Sequence, residues 1–122
     1  MSKTVSRGYS KNSTKFDTES KVLEIGPLED KFPCSRSKIL DFLIVFDDYD
    51  YSISEIARHS GLSFKTALNE IRALVDDSFI VKTRTSGKSI MYKLNPDSDS
   101  VQLISKLAMN IAINRIKDSS RN

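Results

Sequence analysis

Three polar side chains near the middle of the chain, Lys65, Asn69 and Arg72, recur at intervals of four and three residues. Residues at these intervals share one face of an α-helix. Lysine and arginine donate hydrogen bonds to the acceptors on the guanine edge, and asparagine can pair with adenine. Hydroxyls at Ser63 and Thr66 stand at the start of the same segment, where a helix N-terminus can bind phosphate. This face could therefore contact base edges and phosphates of duplex DNA; the alternative is an ordinary solvated helix face.

Two apolar side chains interrupt the polar pattern of this segment. Phe64 lies between Ser63 and Lys65, and Leu68 follows one helical turn later. Either side chain could complete the hydrophobic core, or it could contact a thymine methyl group or a sugar. The sequence leaves both interpretations open.

A glycine divides the helical pattern that carries these residues, "ISEIARHSGLSFKTALNEIRAL". Ser52 and Glu55 have the spacing of a capping box, although Ser54 could cap the same helix instead, and the predicted first helix runs to about His59. Gly61 can adopt the left-handed backbone that ends a helix, and Ser63 can cap a second helix that reaches about Asp77. Two helices joined so closely must cross steeply, so the pattern predicts a helix-turn-helix.

The next segment, "FIVKTRTSGKSIMYKL", has apolar and polar residues in alternation on both sides of Gly87. This pattern predicts a β-hairpin, with Ile90, Tyr92 and Leu94 on one face of its second strand. Polar and basic residues collect at its tip and outer face, and a solvated hairpin is the alternative to a second DNA contact there. The candidate contacts are Lys82, Arg84, Ser86 and Lys88.

The segments before the helix-turn-helix are of three kinds. Residues 1–20 are polar and basic, which predicts a flexible tail that either lies on nucleic acid or stays solvated. In residues 21–34, Val22, Leu23 and Ile25 could form a short strand or pack as an extended strap or linker, and Gly26 and Pro27 then stop any regular element. From Ser35, apolar spacing predicts a helix with Ser35 or Ser37 as its N-cap. The basic residues of the tail are Lys3, Arg7, Lys11 and Lys15.

A long amphipathic helix is predicted over residues 97–118, and residues 97–100 offer candidate N-caps for it. Its apolar stripe is wider than one packing face requires, which favours a homodimer. The alternative is a terminal helix that closes the core of a single chain. The residues predicted for dimerisation are Val101, Ile104, Leu107, Ala108 and Ile111.

The 122-residue sequence offers little support for a metal site, a disulfide, a catalytic site or a membrane span. Asp47, Asp48 and Asp50 lack the glycine and the later glutamate of a calcium loop, and His59 has no partner at ligand spacing. A single cysteine, Cys34, excludes an internal disulfide and favours a reducing compartment. No nucleophile with its base, no phosphate-binding glycine loop and no apolar run of membrane-spanning length occurs. We expect no enzyme activity, cofactor, metal or membrane contact.

The stretch from Ser54 to Pro96 resembles the winged helix-turn-helix of MarR/ArsR-type transcriptional regulators, particularly small archaeal ones. The resemblance covers roughly residues 35–96 and rests on "EIA", "GLS" and the closing "YKL". It implies an α+β, mainly helical fold with a two-stranded wing and a C-terminal dimerisation helix, and a recognition helix in the major groove. The chain departs from the family pattern at Ser60, where an apolar residue is common, and at Ser78, where the family usually places glycine.

These observations predict a sequence-specific protein that binds double-stranded DNA, a dimeric prokaryotic or archaeal transcriptional regulator and most simply a repressor. It would work in the cytoplasm, on the nucleoid. One alternative is a plasmid- or virus-type protein for partition, replication or DNA packaging, because the sequence has a basic tail and shows no ligand-binding domain. A second alternative is a winged helix that contacts only other proteins, for which an acidic face would be expected.

Overall fold

The computed structural model describes residues 25–121. Helices dominate, and a small antiparallel sheet accompanies them, so the predicted α+β class is confirmed. The elements follow in the order α1 (Pro27–Lys31), α2 (Ser35–Val45), β1 (Tyr51–Ser52), α3 (Ile53–Ser60), α4 (Phe64–Asp76), β2 (Ile80–Ser86), β3 (Ser89–Leu94) and α5 (Asp99–Arg121).

Helices α3 and α4 form the predicted helix-turn-helix. Ser52 and Glu55 make both hydrogen bonds of the capping box at the start of α3. Gly61 has φ +68°, and the next amide, of Leu62, donates to the carbonyl of Ala57 at 2.9 Å. A residue with a Cβ would adopt this backbone only with strain, so glycine allows α3 to end and α4 to begin within three residues.

The hydrophobic core lies between α2, α3 and α4 and extends to β2, β3 and α5. Ala67, Ile71 and Leu74 turn one face of α4 into this core, with exposures of 0–2%. Burial of apolar side chains is the main favourable contribution to folding, so this face fixes the orientation of α4. The opposite face of α4 is thereby directed to solvent. The other core residues are Leu28, Ile39, Leu40, Leu43, Ile56, Ala57, Ile80, Leu94, Val101, Ala108 and Ile111.

The sheet has the strand order β1-β3-β2, and β2 and β3 form the predicted hairpin. On β3, Met91 is buried, whereas Ile90 near the tip of the hairpin is 41% exposed. The register shifts between Lys82 and Arg84, which places a bulge at Thr83. Such a bulge bends its strand and increases the local twist, so the hairpin departs from a regular ladder at this point of β2.

A short helix occupies part of the segment predicted to be an extended strap. Gly26 is the N-cap of α1 and Pro27 its first residue, a position where the missing N–H of proline costs nothing. The carboxylate of Asp41 on α2 accepts hydrogen bonds from the amides of Leu28 and Glu29, at 3.0 and 2.9 Å. A Cβ at residue 26 would collide with the side chain of Asp41. The glycine and proline therefore start a helix here, because a distant carboxylate supplies the cap.

The start of α2 also differs from the prediction. Cys34, rather than Ser35 or Ser37, is the N-cap residue, and its backbone is extended. Ser37 is buried, and its hydroxyl lies 3.3 Å from the Cys34 sulfur. Ser37 therefore packs inside the first turn instead of capping it.

Candidate nucleic-acid interface

The polar residues predicted on the recognition helix lie together on the solvent-facing side of α4. Lys65, Asn69 and Arg72 are all exposed. Within residues 25–121, no side-chain hydrogen bond or ion pair engages any of these three. Two cations and an amide therefore present donors that no described side chain uses, on one face of a helix whose other face is buried.

Ser63 and Thr66 serve first as a local cap. The Ser63 hydroxyl oxygen accepts from the Thr66 amide at 3.1 Å, and its hydrogen is donated to the Thr66 hydroxyl oxygen at 2.9 Å. This pair fixes the first turn of α4. The hydroxyl hydrogen of Thr66 is left to donate to another acceptor, and Thr66 is half-buried whereas Ser63 is exposed.

An ion pair also fixes α4 from its flank. Glu70 accepts from Nε of Arg36 on α2 at 2.6 Å. Both side chains are partly exposed, so the pair contributes orientation rather than much stability. The pair neutralises the acidic side chain of Glu70, which lies away from the face that carries Lys65 and Arg72.

The polar side chains of the wing differ in whether another side chain binds them. Lys82, Ser86 and Lys88 are exposed, and none has a side-chain partner among the residues that the structure describes. Arg84 instead binds Asp50, with Nε and one terminal nitrogen at 2.9 and 3.0 Å from the two carboxylate oxygens. The Arg84 hydrogen bonds hold the pKa of Asp50 at about 2, well below its usual 3.8. Sequence reasoning missed this pair, because the partners are 34 residues apart.

The aspartates, histidine and cysteine considered as metal ligands have other surroundings. His59 stacks on Phe42 with ring centroids 4.9 Å apart, and Asp47 and Asp48 are exposed. Cys34 is exposed and contacts Ser37. No group of three such residues that could hold a metal ion occurs in the described part of the chain.

Most of the residues predicted for dimerisation are covered by their own chain. Val101, Ala108 and Ile111 are 2–8% exposed, and Ile104 packs against the same core. Leu107 remains 41% exposed, and Leu103, one turn earlier, is 66% exposed. We name these two leucines the "leucine edge" of α5. They lie beside the buried face of the helix, where a second chain could cover them.

Leu107 also borders an open apolar groove of about 350 Å³ between α5 and the first two helices. The basic tail residues Lys3, Arg7, Lys11 and Lys15 lie outside the described residues. Among residues 25–121, no helix combines the length and apolar character that crossing a membrane requires.

Comparisons with known proteins match this architecture at the level of structure. No protein-family model and no curated protein matches the sequence. One similar solved structure is MepR, a transcription regulator of the Staphylococcus aureus multidrug efflux pump MepA. Its TM-score is 0.59 at 14% identity, and the match covers 88% of this chain and 81% of the MepR chain. A second similar structure is the homodimeric winged helix-turn-helix DNA-binding domain Mb0332 of Mycobacterium bovis, a possible ArsR-family regulator. Its TM-score is 0.52 at 16% identity, and the match covers 88% of this chain and 95% of the Mb0332 chain.

The fold is a winged helix-turn-helix. A third similar structure, the antimony-specific transcriptional repressor AntR, has a TM-score of 0.51 at 15% identity and covers 89% of this chain and 87% of its own. In this winged helix, α3 and α4 are the helix-turn-helix, β2 and β3 are the wing, and α5 follows the wing. The fold thus agrees with the resemblance to MarR/ArsR-type regulators.

Proposed function

We propose that this winged helix binds double-stranded DNA as a transcriptional regulator and acts as a homodimeric repressor. The observation that carries the proposal is the face of α4 formed by Lys65, Asn69 and Arg72, whose donors have no partner among the described residues. Donors of these types match acceptors on guanine and adenine in the major groove. The first turn of α4, held by Ser63 and Thr66, would lie nearest the bases and the adjacent phosphate.

The wing would contribute contacts that do not depend on sequence. Lys82 and Lys88 are exposed and have no side-chain partner within residues 25–121, so they can neutralise phosphates beside the groove that α4 enters. Arg84 would reach the DNA only by sharing or leaving Asp50. The basic tail residues would add further phosphate contacts from outside the winged domain.

A homodimer would bring two recognition helices to one operator. The leucine edge leaves Leu103 and Leu107 exposed on α5, and the similar Mb0332 domain is homodimeric. A two-fold dimer would place its two α4 helices about one DNA turn apart, roughly 34 Å, on a palindromic or pseudo-palindromic site. Occupation of such a site near a promoter would block polymerase, on the nucleoid in the cytoplasm.

The test is binding of the full chain to its own upstream DNA and to a scrambled duplex across a salt series. We expect a preference for the upstream DNA that persists at physiological salt. Arg72→Ala should weaken binding to the preferred duplex by about 1–3 kcal/mol and reduce the preference. Lys82→Ala should weaken binding to both duplexes alike and lower the salt slope by about one.

Lys117→Ala is the control for loss of one positive charge, since Lys117 is exposed on α5. Its affinity for both duplexes should be close to that of the wild type. Equal, steeply salt-dependent binding to both duplexes would instead favour packaging, or an operator elsewhere, which selection from random duplexes would reveal. Binding to no duplex, including selected ones, would contradict the proposal and favour a role in protein contacts.

A further inference from the structure

Phe64, the first residue of α4, is a large aromatic side chain that the core does not use. It is 53% exposed, whereas Ala67 and Ile71 on the same helix are 0–1% exposed. Neither Phe64 nor Leu68 belongs to the core cluster or to the partly buried side chains packed against it. Among residues 25–121 the core therefore packs without Phe64, which favours the second of the two roles that the sequence left open for it.

Phe64 lies beside the polar side chains of α4 that are proposed to contact DNA. Phe64, Leu68 and Arg72 follow one another at intervals of four residues and so form one row on α4. Lys65 and Asn69 form the neighbouring row, on the exposed face. An apolar edge therefore runs beside the donor face, and its exposed end lies in the turn that would enter the groove first.

The charges beside Phe64 select among the partners that an exposed aromatic ring could contact. Lys65 and Arg72 are unpaired cations within the described chain, so they favour a polyanion over an apolar protein surface. In the major groove, the apolar group of the base edges is the C5-methyl of thymine. We propose that Phe64 packs against a thymine methyl and makes the protein prefer thymine at one defined position of each half-site.

This inference rests on the proposed DNA binding and makes a narrower claim. Thymine and deoxyuridine pair identically and differ only by the methyl group. A protein that reads the methyl by contact should therefore lose affinity when one thymine is replaced by deoxyuridine. The loss expected for one buried methyl group is about fourfold.

The experiment begins with selection of bound sequences from random duplexes by the full-length wild-type protein. Each thymine of the selected site is then replaced singly by deoxyuridine, and affinities are measured for the wild type, Phe64→Ala and Phe64→Leu. We expect one thymine per half-site at which deoxyuridine weakens wild-type binding about fourfold. Phe64→Ala should bind the two duplexes equally, and Phe64→Leu should retain part of the difference.

Phe46→Ala is the matched control, because Phe46 is a similarly exposed phenylalanine, at 52%, at the end of α2. It should keep the full thymine preference. Replacing thymine by deoxyuridine lowers the DNA affinity of the wild type and of Phe64→Ala by two separate factors. The ratio of these factors isolates the contact between ring and methyl group from effects of the methyl group on DNA shape. Circular dichroism checks that each variant is folded, which we expect since both rings lie outside the core cluster.

The outcomes separate the two proposals. If the wild type selects a site but tolerates deoxyuridine at every thymine, DNA binding stands and the role of Phe64 is overturned. The same conclusion follows if Phe64→Ala keeps the wild-type sensitivity, or if its DNA affinity is unchanged. If the wild type selects no sequence and binds no duplex, both proposals fail.

Discussion

Ser78, at the exit of α4, has φ +65°, in the left-handed region that serine rarely adopts. The conformation is held by hydrogen bonds on both sides, since the Ser78 amide donates to Val75 and the Asn95 side chain donates to the Ser78 carbonyl. The family that the sequence resembles usually places glycine here. The departure seen in the sequence is therefore a site of backbone strain.

We predict that Ser78→Gly stabilises the protein by about 1 kcal/mol, because a residue with a Cβ loses roughly that amount in the left-handed conformation. The measurement is the free energy of unfolding in urea. Ser54→Gly is the control, since Ser54 is exposed in the first turn of α3, where glycine should destabilise by about 0.5 kcal/mol relative to serine. A loss of stability in Ser78→Gly comparable to that of the control would contradict the prediction.

Ser60, the other departure from the family pattern, is the last residue of α3. Its hydroxyl oxygen is buried, and no hydrogen-bond partner for it exists among the described residues. A buried polar atom without a partner costs about 1–3 kcal/mol. An apolar residue, as the family usually has, would avoid this cost.

We therefore expect Ser60→Ala to raise the melting temperature and the free energy of unfolding, by about 1 kcal/mol. Ser54→Ala in the same helix measures the contribution of helix propensity alone. The prediction fails if Ser60→Ala is less stable than the wild type, since the hydroxyl would then make a stabilising contact.

At the scale of elements, two aspartates hold structures that local patterns could not specify. Asp41 caps α1 from α2, and burial raises its pKa although the two amide hydrogen bonds oppose this. Asp50 reaches the wing from the turn before β1 and binds both Thr83, at the bulge, and Arg84. The geometry of the wing thus depends on a carboxylate outside the hairpin.

The Asp50–Arg84 pair should make wing stability depend on pH in the acid range. The folded state lowers the pKa of Asp50 from 3.8 to about 2, so the charged carboxylate stabilises the fold above about pH 4. This contribution is lost as the pH falls through about 2. Asp50→Asn should remove it, so the wild type should be the more stable protein near neutral pH and the difference should shrink between about pH 4 and 2.

Urea unfolding of the wild type and Asp50→Asn at a series of pH values measures this difference. The pKa of Asp41 is raised, so its contribution to the free energy of unfolding falls as pH rises. This contribution is the same in both proteins and cancels in the difference between them. Asp47→Asn, at an exposed aspartate of the same turn, is the control for the loss of one negative charge near neutral pH. A constant difference from neutral pH to pH 2 would exclude a role for the Asp50 charge.

For the whole molecule, the leucine edge makes a prediction about assembly. Paired substitution of Leu103 and Leu107 by glutamate should convert the proposed dimer to a monomer, because two charges would be buried without partners at the interface. Sedimentation equilibrium should then give the mass of one chain, 13.8 kDa, instead of twice that value. Binding to a palindromic site should weaken, while binding to a single half-site should change little.

Lys117→Glu changes the net charge by the same amount on an exposed part of α5 and should remain dimeric. A monomeric wild type would overturn the proposed dimer. A dimer in both variants would place the interface on another surface, because Leu103 and Leu107 would then not be covered.

Short-range patterns in the sequence determined much of this protein. The capping box at Ser52, the turn at Gly61, the cap at Ser63 and the hairpin around Gly87 each depend on residues within a few positions of one another. Interactions at such spacings are readable because helix and strand periods place the partners together. The polar face of α4 followed from the same periodicity.

The tertiary structure decided what these patterns left open. It placed Asp50 against Arg84 and Asp41 against α1, it turned Val101 and Ala108 into the core of their own chain, and it left Phe64 exposed. Each of these depends on contacts between residues far apart in the chain, or on which face of a helix neighbouring elements cover. Helical periodicity shows that α5 has a wide apolar stripe, but only packing of the whole chain decides which part of that stripe remains for a partner.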